Sequence, residues 1–80
     1  MNFYSKYVIN LKDISYAEKL YLMVAYDTCD EDYWYSQRTV HNIFPKATIG
    51  RIENNLIKLG YISEFFYDKK QKRLRLNFKK

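Results

Sequence analysis

The sequence predicts an α+β domain of three helices, a short first strand and a C-terminal two-stranded β-hairpin, and three observations carry that expectation. Ser15 followed by Glu18 fits a capping box at the start of a helically spaced apolar segment. From Ile49 to Leu59 the apolar residues Ile49, Ile52, Leu56 and Leu59 recur at helical spacing and stop at Gly60. The pattern then changes to strict alternation in RLRLNF, Arg73 to Phe78.

Residues 1–12 contain FYSKYVINLK, rich in β-branched and aromatic side chains, and read as an extended segment or short strand. The first helix should span Tyr16 to Thr28, with Ala17, Leu20, Tyr21, Val24 and Ala25 supplying its apolar pattern. The polar run DTCDED follows. Tyr33, Trp34 and Tyr35 form a short strand, and Ser36 is a good N-cap for a second helix over Gln37 to Ile43. Pro45 suits the first turn of the third helix, where its missing N–H costs nothing. Ile49, Ile52, Leu56 and Leu59 make the buried stripe of that helix, and Ile57, beside its polar face, should pack under the hairpin. Tyr61 to Tyr67 and Arg73 to Phe78 are the hairpin strands around a DKKQK turn. Leu74, Leu76 and Phe78 point to one side, Arg73, Arg75 and Asn77 to the other.

Eighty residues make one domain, 1–80, with its core in 15–78. About half of the residues are apolar, so a packed core is expected. The longest apolar run, Leu20 to Tyr26, is too short to cross a bilayer, and no secretion signal is visible in MNFYSKYVINLKD. Cys29 has no second thiol to pair with, which fits a reducing cytoplasm. Charge divides the chain. Residues 1–35 carry Lys6, Lys12 and Lys19 against six acidic side chains, and residues 36–80 carry eleven basic against Glu53, Glu64 and Asp68. A basic half of this kind is a footprint for a polyanion.

The order of elements, with Thr48-Ile49-Gly50-Arg51, then Leu56, then Gly60-Tyr61-Ile62 leading into the hairpin, resembles the winged helix-turn-helix domain over residues 15 to 78. SYAEKLYL, Ser15 to Leu22, resembles the first helix of winged domains in phage and plasmid replication initiators of low-GC Gram-positive bacteria. The sequence departs from that family in the short Phe44-Pro45-Lys46 turn, which lacks a glycine, and in His41, where the family has a small residue. The resemblance implies double-stranded DNA as the partner, a role in transcription regulation or in replication-origin recognition, and cytoplasmic localisation in a bacterial host.

The residues agree on their own chemistry. Opposite the apolar stripe, the third helix presents Gly50, Arg51, Asn54 and Lys58, with Asn55 at its flank. Arginine donates two bonds to guanine and asparagine pairs with adenine. Lys46, Thr48 and Lys58 suit phosphate oxygens. The hairpin adds Lys69, Lys70, Lys72, Arg73 and Arg75, and the start of the second helix adds Ser36, Gln37 and Arg38 as lesser candidates. Each has a bland reading as well: a solvated helix face, or an edge strand guarded by lysines. A homodimer on a repeated half-site is compatible with a domain of this size. An alternative is a winged module that binds protein, such as a phage-encoded inhibitor of a host nucleic-acid enzyme, with the acidic segment 27–32 as its contact.

Other clusters are discounted. Asp27, Asp30, Glu31 and Asp32 around Cys29 match neither a calcium loop nor a zinc pattern and read as a solvated loop. His41 is a lone histidine expected in core or boundary packing, and Cys29 a small hydrophobe near a helix end. Trp34 can stack on bases but more often anchors a strand. No residue is assigned a catalytic, cofactor-binding or metal-binding role, and the protein is not expected to be an enzyme.

Overall fold

The computed structural model describes residues 3–66 and 72–77, without the side chains of 3, 5, 65, 66 and 72. Among them are four helices and one three-stranded antiparallel sheet: α1 (Phe3–Ile9), α2 (Tyr16–Thr28), β1 (Trp34–Ser36), α3 (Arg38–His41), α4 (Lys46–Leu59), β2 (Ile62–Phe66) and β3 (Lys72–Leu76). The spatial strand order is β1-β3-β2. Both pairings are antiparallel, with Tyr35 opposite Leu74 and Ile62 opposite Leu76.

The α+β class is as expected, but a helix stands where an extended segment was anticipated. α1 turns Tyr4, Tyr7 and Val8 onto α2, the spacing of one helical face. Val8 is fully buried, and Tyr4 stacks on Tyr26 with ring centroids 4.7 Å apart. Burial of these rings outweighs the strand preference of the local sequence, which is a weak term beside tertiary packing.

α2 begins and ends where its pattern predicted. Ser15 Oγ accepts from the Glu18 N–H at 3.2 Å, and Glu18 Oε1 accepts from the Ser15 N–H at 2.8 Å. Its buried face differs, however. Tyr21, Leu22, Ala25 and Tyr26 are in the core, whereas Ala17 and Leu20 are exposed. The helix is apolar on both sides, so periodicity alone could not choose the face.

α3 is shorter than predicted, and Gln37, not Ser36, occupies its N-cap position. Ser36 Oγ instead accepts a bond from the Arg38 N–H at 3.3 Å. Pro45 ends the helical stretch, because the residue before a proline is pushed out of α geometry. The same proline sits at the N-cap of α4, one position before the predicted first turn. Gly60 closes α4 at φ 85°, a left-handed conformation that favours glycine.

The core joins Tyr21, Tyr35, Val40, Ile49, Leu56, Ile62, Leu74 and Leu76, all at most 2% exposed. Ile57 packs at its edge. Leu59 does not belong to it and is 37% exposed, because the buried side of α4 rotates toward Glu53. His41 is likewise exposed and not packed. Phe78, expected on the inner side of the last strand, lies outside the described residues. Tyr33 bends the chain into β1 at φ 69°, a conformation that costs a bulky residue about 1–2 kcal/mol. Its ring offsets that by packing edge-on against Tyr4 and Tyr26. No described helix is long and apolar enough to cross a membrane.

Candidate nucleic-acid interface

α4 carries the densest set of candidate residues, and its orientation is held from behind. Ile49, Ile52, Glu53 and Leu56 are buried on one side. On the opposite side Gly50, Arg51, Asn54 and Lys58 are exposed, with Lys46 exposed at the start of the helix. Lys46 therefore stands at the positive end of the helix dipole, where an anion is stabilised. Thr48 and Asn55 are half-buried.

Gly50 has an unusual position. A Cβ built there would meet no atom within 4 Å. The domain's own packing therefore does not require glycine, although glycine inside a helix costs about 1 kcal/mol relative to alanine.

Asn55 is engaged within the domain, where its Nδ2 donates a hydrogen bond to Glu18 Oε2. Glu18 thus caps α2 with one carboxylate oxygen and ties α4 with the other. Beside this link an open groove of about 490 Å³ runs between the start of α2 and α4, lined among others by Thr48, Arg51 and Asn55.

A second anchor is wholly buried. Glu53 is 1% exposed, with Oε2 accepting from the Tyr21 hydroxyl at 2.7 Å and Oε1 from Gln37 Nε2 at 2.6 Å. Because Tyr21 donates to Glu53, Tyr35 is left to donate to Tyr21, at 2.8 Å. This chain of bonds connects α2, β1, the start of α3 and α4. Desolvation, followed by the neighbouring Tyr35 and Glu53, drives the Tyr21 phenol far above its ordinary range. The carboxylate was legible in the sequence only as a charge in the basic half. Its spacing, four residues after Ile49 and three before Leu56, was the signal of an inward position.

Gln37, a candidate contact, is therefore committed inward, while Ser36 and Arg38 are exposed. The hairpin residues are divided. Lys69 and Lys70 lie outside the described residues, and Lys72 is placed only by its backbone pairing opposite Phe66. Leu74 and Leu76 face the core, which turns Arg73 and Arg75 to the outer face of the sheet. There their guanidinium carbons lie 5.7 and 5.8 Å from the Trp34 ring centroid. Arg73 also approaches Asp30 at 3.9 Å, and Arg75 Nε donates to the Asp32 carbonyl at 3.1 Å. The structure thus brings Arg51, Asn54 and Lys58 together on one helix face and sets Arg73 and Arg75 in a separate cluster around Trp34.

The acidic loop is ordered by its own backbone. Asp30 Oδ1 accepts from the N–H groups of Asp32 and Trp34 at 2.9 and 3.0 Å. No metal-ligating cluster occurs among the described residues. The Cys29 thiol is pushed up by burial and by Asp30, away from the reactive thiolate.

Comparison with protein-family models, with curated proteins and with solved structures finds no match.

Proposed function

We propose that the chain is a winged helix-turn-helix protein that binds double-stranded DNA, as a transcriptional regulator or an origin-recognition factor of a bacterium or its mobile elements. In this reading α2, α3 and α4 form the helical unit, α4 enters the major groove, and the β2–β3 hairpin is the wing whose basic turn follows the adjacent phosphates. The β1-β3-β2 sheet behind the helices supports that assignment, with α1 as an addition at the back.

The outer face of α4 carries the proposal. Arg51, Asn54 and Lys58 stand exposed around a glycine that the fold's interior does not demand. An approaching duplex gives that glycine a reason, since a missing side chain lets the helix backbone come close to the bases. Asn55 acts in this scheme as an internal strut, leaving Arg51 and Asn54 as the base readers.

The alternative, a protein-binding module acting through the segment 27–32, draws less support. The Asp30 carboxylate closes its own loop and approaches Arg73, and the Asp32 carbonyl accepts from Arg75.

The test is duplex binding by a random-sequence DNA pool, measured across salt concentrations. Arg51→Ala and Asn54→Ala should each weaken binding to selected sequences roughly tenfold or more, with unchanged circular dichroism. Lys58→Ala should reduce the slope of log affinity against log salt by about 1. Duplex affinity that does not respond to salt, or that survives the Arg51→Ala/Asn54→Ala double change, refutes the assignment. Gly50→Ala offers a contrasting sign. It should stabilise the domain by about 0.5–1 kcal/mol in urea unfolding while weakening duplex binding.

A further inference from the structure

α2 has a second apolar face that the domain leaves partly open. At 100° per residue, Tyr16, Leu20, Met23, Val24 and Asp27 share the side opposite the core. Tyr16 is 88% exposed and Leu20 44%, while Met23 and Val24 are half-buried at the edge of the core. Ile9, 46% exposed at the end of α1, extends the patch, and Lys19 ties it to α2 by donating to the Ile9 carbonyl at 3.0 Å. Ile9, Tyr16 and Leu20 thus leave a small apolar patch exposed at the start of α2.

Its charges run from one end to the other. Lys12 and Lys19 flank the start of α2 together with Asp13, which accepts from the Tyr61 hydroxyl, whereas Asp27 and Glu31 stand at its end, about 20 Å away for a helix of this length. A membrane surface or a nucleic acid would be repelled by the acidic end. A partner whose charges run the opposite way fits both ends, and the same face turned through a two-fold axis is such a partner.

We propose that this face pairs two copies of the chain, α2 lying antiparallel to its twin about a dyad between Leu20 and Met23. Leu20 then packs on the partner's Met23, Tyr16 reaches the partner's Asp27, and Lys12 faces the partner's Glu31. Each contact occurs twice, as symmetry requires. The strip is small, so the association is weak and concentration-dependent, at the low end of specific interfaces.

Sedimentation equilibrium of the full chain tests this without DNA. The expected mass rises from the 9.8 kDa monomer toward twice that value across the micromolar range. Leu20→Lys, and separately Tyr16→Lys at a position too exposed to affect folding, should remain monomeric with unchanged circular dichroism. Lys12→Glu or Glu31→Lys alone should weaken the dimer several-fold, and the two together should restore it, since the exchanged charges again meet across the dyad. A wild-type chain that stays monomeric throughout, or a dimer that survives Tyr16→Lys, overturns the proposal. Failure of the double exchange to recover association overturns the antiparallel arrangement on which it rests.

Discussion

Glu53→Ala should destabilise the domain by about 3–5 kcal/mol, a large share of the total of roughly 4–12 kcal/mol expected for its size. The change removes the acceptor for the Tyr21 hydroxyl and for Gln37 Nε2 in a space that is 1% exposed. Each orphaned donor costs about 1–3 kcal/mol, and the lost side chain leaves a cavity besides. Glu53→Gln should cost well under half as much. Its amide can donate to Tyr21 and accept from Gln37, with the Tyr35–Tyr21 hydroxyls reversing their direction of donation. Urea unfolding with an unchanged m-value measures both. Equal and small losses in the two variants would show that the network does not hold α4. On the DNA reading, Glu53→Gln also retains duplex binding and Glu53→Ala does not, because the latter frees the helix to shift against α2.

What the sequence disclosed follows from how local each signal is. The Ser15–Glu18 capping box and the left-handed Gly60 depend on a few adjacent residues, and both appeared where expected. The alternation that buries Leu74 and Leu76 depends only on strand geometry, and it too was readable. α1 was not, because Tyr4, Tyr7 and Val8 become helical by packing against Tyr26 and its neighbours, far along the chain. The face of α2 was read only in part: Tyr21 and Ala25 are buried as their spacing predicted, but Leu20 and Leu22 are equally apolar, and only the surrounding elements decide which is covered. In the candidate site, the exposure of Arg51, Asn54 and Lys58 followed from the Ile/Leu stripe. The anchors behind them did not, because Glu18–Asn55 and Tyr21–Glu53 are pairs 37 and 32 residues apart. Arg73 and Arg75 were placed on the right side of their strand, but their engagement with Trp34 required the β1–β3 register.

Alkali should unfold this protein, and the tyrosines give the reason. Tyr21 and Tyr35 are 0% and 2% exposed, and burial is the leading cause that drives both phenols far above the ordinary value near 10. For Tyr35 the hydrogen bond with Tyr21 acts the other way, but burial and the nearby Glu53 outweigh it. Tyr26, 5% exposed among Tyr4, Tyr7 and Tyr33, is raised in the same direction, again chiefly by burial. Tyr61, half-buried with its hydroxyl donating to Asp13, is pushed up to about 12, by burial first and by Asp13 after it. A group whose folded pKa exceeds its unfolded one contributes fully below the unfolded value. Above it, the unfolded chain gives up a proton that the folded chain keeps. Stability should therefore be level up to about pH 9 and fall beyond pH 10. Tyr21 and Tyr35 would each remove about 1.4 kcal/mol per pH unit, so together they remove roughly 3 kcal/mol by pH 11. Urea unfolding at stepped pH, followed with tyrosinate absorbance, measures the slope. Tyr35→Phe lowers stability at neutral pH yet makes the alkaline slope shallower by one group, a combination that mere loss of packing does not produce. Stability that stays flat through pH 11, or tyrosinate from the buried rings appearing before the chain unfolds, would contradict a core built on hydrogen-bonded tyrosines.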